Sequence, residues 1–327
     1  MIFVDKLIHR LAVFTTLCTF ILIFIGALVK STESGLAVPD WPTTFGENMF
    51  LFPISDMVGG VLYEHSHRLF ASFVGLCILI LSSLIGFTNQ NKTLKIIGWT
   101  TLGAVLVQGI LGGLTVIFFL PALISISHAT LAQITLCLMI TITVYTSKRW
   151  KEAEIFEISL SHKLWSLITT CTIWVQLLFG SIMRHTESGL AALDFPKMNG
   201  KWIPSLSEDT INEINNIRML IDFENILELE PVSSSQLLIH FIHRLWGYVV
   251  LLIVGYFIIK LQKDLSLPSF IKTFSLVLGM LLIIQIVLGA MTILSYKEVF
   301  ITTLHVTNGA GILGISFYIS IWHLRKN

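Results

Sequence analysis

Apolar residues gather in eight long stretches, at about 11–29, 65–87, 94–118, 123–146, 162–183, 236–259, 269–294 and 300–322, with polar segments between them. A helix rises about 1.5 Å per residue and needs roughly 20 apolar residues to cross the hydrocarbon of a bilayer. Each stretch is that long. Unbroken apolarity, in place of strand-like alternation, predicts helices and not a barrel. The expected fold is therefore an all-α integral membrane protein with eight transmembrane helices. Composition agrees, since 13% of the 327 residues are charged, about half the share in a soluble domain.

The charges set the orientation. With the N-terminus in the cytoplasm, the inner segments hold thirteen of the 21 Lys and Arg residues, from Lys6 and Arg10 to Arg325 and Lys326. They hold only five of the 20 acids: Asp5, Glu152, Glu154, Glu157 and Asp264. The positive-inside rule then places both termini in the cytoplasm. The first stretch has a basic flank but no small-residue cleavage pattern, and reads as a retained span. A net charge of +1 argues against a nucleic-acid partner, which would need a basic surface. Cys18, Cys77, Cys137 and Cys171 all fall inside spans, so no disulfide is expected on the outer side.

The chain repeats itself. Gly26 to Pro42 returns as Gly180 to Pro196, including Thr32-Glu33-Ser34-Gly35-Leu36 and Thr186-Glu187-Ser188-Gly189-Leu190, at an offset of 154. His67-Arg68-Leu69 returns as His243-Arg244-Leu245, Gln108 as Gln285 and His128 as His305, at offsets of 176 or 177. The jump locates a polar, acidic insert in the second outer loop, at about 197–235. Four spans per repeat bring the chain back to its starting side, so the expectation is two tandem four-helix bundles, 1–150 and 151–327, related by a pseudo-twofold axis along the membrane normal. The Glu-Ser-Gly-Leu segments read either as a lid or as helix caps.

A titratable group inside a span is costly unless it is paired or ligating. His67, His128, His243 and His305 open the even-numbered spans at matched positions, one pair per half, near the outer face. Two facing imidazoles in a four-helix bundle suit the axial positions of haem iron. Hydrogen-bonded packing is the alternative for each. Zinc is a weaker one, because His240 and His243 share a helical face but no cysteine or carboxylate cluster completes a tetrahedral site. His9, His162 and His323 lie at inner helix ends and His185 in an outer loop, and these read as interfacial. Gly109, Gly112 and Gly113, answered by Gly289 and Ala290, would leave room for a planar macrocycle or for tight helix packing. Arg68 and Arg244 are candidates to pair with haem propionates, or to snorkel.

The halves differ at one slot, where Glu64 stands three residues before His67 and His240 stands three before His243. Glu64 is a candidate general base or stabiliser of a developing cation, or it ion-pairs with Arg68 or caps its helix. The half with Glu64 reads as the chemical half.

With eight spans, the repeat, Glu64, His67-Arg68, His128, His243-Arg244, His305 and the Glu-Ser-Gly-Leu loops, the chain resembles the haem A synthase family over nearly its whole length. The resemblance implies oxidation of the C8 methyl of haem O to a formyl group, with water as the oxygen source, for a terminal oxidase. It implies a resident haem b on His243 and His305, haem O as the substrate between His67 and His128, and Glu64 as the essential acid. It further implies a bacterial cytoplasmic membrane, with haem O synthase and an electron acceptor such as quinone as partners. Many members carry a cysteine pair in the first outer loop, where this chain has Ala37, Val38 and Pro39. Two other readings are a two-haem cytochrome that only passes electrons, which would want equivalent halves, and a transporter, which would want polar residues at the bilayer midplane.

Overall fold

The computed structural model describes residues 2–153, 158–225 and 229–325. Glu154, Glu157 and Lys326 of the charge count lie outside them. The described residues form helices and loops with no strand. In chain order the helices are α1 (Ile2–Ser31), α2 (Gly60–Phe87), α3 (Lys92–Ile117), α4 (Ala122–Thr146), the short α5 (Lys148–Glu152), α6 (Leu160–His185), α7 (Glu208–Asn225), α8 (Ser234–Lys263), α9 (Ser269–Leu294) and α10 (Val299–His323). All except α5 and α7 are long and apolar enough to cross a membrane, and the protein is a multi-pass membrane protein. The first span begins about nine residues before the apolar pattern does, because Lys6 and Arg10 are carried on the same helix.

Local chemistry fixes the helix ends. Asn91, Ser159 and Ser233 accept hydrogen bonds from backbone N–H groups in the first turns of α3, α6 and α8, and Ser233 with Gln236 closes a capping box. The carboxylate of Glu298 caps α10 through the N–H groups of Phe300 and Ile301. The Thr-Glu-Ser-Gly segments prove to be helix terminators. Glu33 and Glu187 both adopt φ of 51°, and Ser34 and Ser188 then donate back to the carbonyls of Val29 and Met183. The turns Phe119-Leu120 and Tyr296-Lys297 share a left-handed backbone as well.

The spans pack as two rings. In one, α1 and α3 each lie against α2 and α4; in the other, α6 and α9 each lie against α8 and α10. The rings meet where α10 packs on α1 and α4, and α4 on α6. Each ring has a hydrophobic core at the end remote from His67, His128, His243 and His305. Ile8, Ile78, Leu81, Met139 and Ile142 fill the first, and Phe257, Leu261, Leu278, Ile319 and Trp322 the second. The insert is more than a polar loop. Its helix α7 buries Ile214 against Ala191, Met198 and Leu237, and it roofs a cavity of about 430 Å³ bordered by Asp194, Thr210 and Tyr296.

Candidate functional site

The four matched histidines lie about two turns inside their helices, and each is seated on a glycine of the neighbouring helix. A β-carbon added at Gly26 would stand 3.1 Å from Cε1 of His67, and one at Gly112 would stand 3.3 Å from Cε1 of His128. In the second ring the same construction gives 3.2 Å from Gly180 to His243 and 3.0 Å from Gly289 to His305. Only glycine leaves room for these rings. Gly112 and Gly289 thus hold imidazoles, the close packing that was one of the two readings of the sequence pattern; Gly113 holds Trp41 and Gly109 meets nothing. Gly26 and Gly180 open the repeated motif, yet their role has no local signature.

The imidazole environment suits an axial donor. Nδ1 of His67, His128 and His305 is enclosed and has no hydrogen-bond partner, while each residue as a whole is only half-buried. Nε2 of His305 meets Gln285 Nε2 at 3.4 Å, and both ring nitrogens of His243 meet Gln176 Nε2 at 3.3 Å. The two imidazoles of a ring are close enough to interact electrostatically, His67 with His128 and His243 with His305. Gln108 and Gln285, another repeated pair, donate to the backbone carbonyls of His128 and His305 at 2.9 and 3.0 Å, tying α3 to α4 and α9 to α10 beside the ring. Gln176 does the same for His243 at 3.1 Å; its repeat position is Leu22, so this clamp belongs to the second ring alone. Among the described residues no three His, Cys, Asp or Glu side chains converge as a metal-binding group. Two imidazoles per ring are available as donors, a number that would suit a metal whose remaining positions a planar macrocycle fills.

The Glu64 slot is a lock between α2 and the first outer loop. The buried Glu64 carboxylate accepts from the N–H of Val38 at 2.8 Å and from Arg68 Nη2 at 2.5 Å. Arg68 also donates to the carbonyls of Val38, Asp40 and Thr43. In the second ring His240 Nε2 accepts from Arg244 Nε at 2.9 Å, and Arg244 reaches the carbonyls of Ala192 and Lys197. Both arginines, candidates from sequence to pair with propionates or to snorkel, hold loop backbone here. Glu64 shares a helix face with His67, and both its oxygens are engaged by Arg68 and the loop.

Each loop is braced by a repeated aspartate. Asp40 accepts from Thr43 and from the N–H groups of Phe45 and Gly46, and Asp194 from those of Asn199 and Gly200. Phe45-Gly46 and Asn199-Gly200 have positive φ, which turns successive N–H groups toward one anion. Burial acts to raise the Asp40 carboxyl, but the bonds from Thr43, Gly46 and Phe45 outweigh it and hold it below its usual value. This brace escaped sequence reading, although Asp followed at five and six residues by a turn ending in Gly recurs in both halves.

Of the histidines expected at the interface, His162, His185 and His323 lie in the first or last turn of their helices. His162 and His323 pack 5.9 Å apart, ring to ring, with His323 buried, and His9 bonds Thr146 at 3.1 Å. His185 ends α6, half-buried, within electrostatic reach of Arg184, Lys30 and His128. All four cysteines are free and lie in spans, with Cys171 on an exposed helix face.

Residues 9–317 match the profile of a family described as cytochrome oxidase assembly protein, COX15-CtaA. Among similar proteins, the "Heme A synthase" of Halalkalibacterium halodurans is 26% identical over 91% of this chain and 92% of its own length. Proteins of the same name from Caulobacter vibrioides, 21% identical over 94% of this chain and 93% of theirs, and from Wolbachia pipientis wMel, 24% over 96% and 93%, are also similar.

Proposed function

Because this chain belongs to the COX15-CtaA family of cytochrome oxidase assembly proteins, we propose that it is a haem A synthase, which oxidises the C8 methyl of haem O to a formyl group. Family membership and the named relatives support a role in haem A biosynthesis. The observation that carries the finer reading is the fourfold seating of imidazole on glycine, repeated in both rings and differing only in what stands beside it.

In this reading the rings of residues 1–150 and 151–327 are functional halves related by a pseudo-twofold axis, a relation supported by the reciprocal packing of α1 on α10 and α4 on α6. The first half takes haem O between His67 and His128. The second holds haem b between His243 and His305, with Gln176 adding a clamp that the first half lacks. Bound there, haem b supplies a one-electron relay toward an acceptor such as quinone. Converting the methyl group and one water to the formyl group releases four electrons and four protons, and the oxygen comes from the water through hydroxylated stages. Positive charge that develops at the methyl carbon is stabilised by the Glu64 carboxylate, which Arg68 and Val38 hold in place in a site shielded from bulk water. The loop that bonds Glu64 and Arg68 closes the outer mouth of the first half. Both termini face the cytoplasm of a bacterial inner membrane, and the haem sites lie toward the outer face.

One observation favours the cytochrome reading: both Glu64 oxygens are occupied by structural partners. Extraction of haem from the purified protein, produced with a source of haem O, separates the two. Haem A or a hydroxymethyl intermediate is the expected product. Recovery of haem O unchanged, from a protein that holds two haems, would establish an electron carrier.

A further inference from the structure

Where the two rings meet, one half-buried cation makes no ion pair. Lys30, at the end of α1, pairs with Glu33 and with Glu187, both at 2.7 Å, and Lys297 pairs with Glu187 at 3.3 Å. Arg184 is the repeat counterpart of Lys30, and among the described residues no carboxylate lies within ion-pair distance of it. Its Nη2 donates to the carbonyl of Ala27 at 2.7 Å and to Ser31 Oγ at 2.9 Å. Its Nε and Nη1 have no hydrogen-bond acceptor among the described residues. Three cations and two carboxylates share this seam, and the surplus charge belongs to Arg184. A half-buried guanidinium with two unengaged nitrogens at the end of a span is a ready donor to an anionic partner that is not protein.

Its position says which one. Arg184 stands four residues beyond Gly180, the seat of His243, hence on the same helix face and about 6 Å further along the axis. Ser31 Oγ, which accepts from Arg184, also accepts from Thr303 Oγ1 at 3.0 Å, and Thr303 is two residues from His305 on α10. Arg184 therefore lies one turn outward of the level of Gly180 and His243, at the outer end of α6 where that helix meets α1. Porphyrin carboxylates project from one edge of the ring, and guanidinium pairs with carboxylate by charge-assisted, frequently bidentate bonds.

Resting on the haem b reading of the second half, we propose that Arg184 is the carboxylate-binding residue of that half and holds the propionates of the haem between His243 and His305. Arg68 and Arg244 are engaged with loop carbonyls. Lys30, one turn beyond Gly26 in the first half, is already neutralised by Glu33 and Glu187. The halves then differ in grip: the second offers a free cation to a group that stays, and the first offers a neutralised one to a substrate that must leave.

The test compares full-length protein, prepared without haem, as it binds protohaem or protohaem dimethyl ester, which has no free carboxylate, followed by optical titration of the low-spin spectrum. Wild type is expected to prefer the free acid by about tenfold or more, the range of a charge-assisted bond. Arg184→Gln should erase the preference and lower the midpoint potential of the second-half haem, and Arg184→Lys should restore much of both. An undiminished acid preference in a folded Arg184→Gln protein with an unchanged midpoint would overturn the proposal. So would an effect confined to haem in the first half, or one confined to co-purifying anionic lipid, whose phosphate is the other anion available at this depth. A wild-type protein that binds both forms equally also refutes it without any variant. Failure of wild type to bind either form with low-spin character would instead refute the haem reading beneath it.

Discussion

The indole of Trp41 fills the space that a side chain at Gly113 would need: a β-carbon there would lie 2.5 Å from Cδ2 of the ring. Trp41 belongs to the outer loop that donates to Glu64 and accepts from Arg68, and Gly113 adjoins the glycine that seats His128. In the repeat register the corresponding pair is Phe195 and Ala290, with the smaller ring opposite the larger seat. Gly113→Ala should displace Trp41, open the loop and destabilise the protein by about 1–3 kcal/mol, as overpacking does. Trp41→Phe combined with Gly113→Ala recreates the second-half pair and should recover most of that loss. Thermal unfolding of the three variants tests this, and a double variant as unstable as Gly113→Ala would refute the complementarity.

The glycine seats make a sharper claim about the imidazoles. Gly289→Ala places a methyl group 3.0 Å from His305 Cε1, so the ring must shift, whereas Gly109→Ala meets nothing. The first should diminish or shift the low-spin haem signal, as His243→Ala and His305→Ala should abolish the second-half signal. Gly109→Ala should leave it intact. Optical spectra of the purified variants decide.

Glu64→Gln keeps the shape of the side chain and one acceptor oxygen, enough for either Val38 or Arg68, but loses the second acceptor and the charge. The protein should fold and hold its second-half haem b. Conversion should fall by about 10² to 10³, the effect of removing about 3–4 kcal/mol of electrostatic stabilisation from a preorganised site, with accumulation of haem O or a hydroxymethyl form. Near-normal haem A from this variant would make the carboxylate purely structural.

The Asp40 brace responds to acid. Its carboxyl titrates below the unfolded value of about 3.9 in the folded loop, so the unfolded state binds the proton first. The brace contributes stability that is complete above that pH and is lost as pH falls through the folded value. Asp40→Asn should therefore loosen residues 40–47 at neutral pH and differ little from wild type in strong acid. Amide exchange or proteolysis of the loop at pH 7 and below pH 4 measures it, and a gap between the two proteins that persists in acid would contradict the assignment.

Sequence by itself determined the number and type of the spans, the duplication, the insert and the four matched histidines. These are one-dimensional properties: apolar length sets a span, and register survives wherever two copies keep their spacing. It also marked Glu64 and His240 as the slot where the halves differ. The tertiary structure decided which polar atoms meet. That Gly26 seats His67, that Arg68 and Arg244 hold loop carbonyls, that Asp40 braces a turn and that Arg184 lacks a carboxylate all depend on distances between helices far apart in the chain. An arginine beside a histidine in sequence has several partners within reach of its long side chain. Which of them it takes is fixed only when the loop folds over it, because a buried donor bonds the nearest unsatisfied acceptor, not its neighbour in the chain.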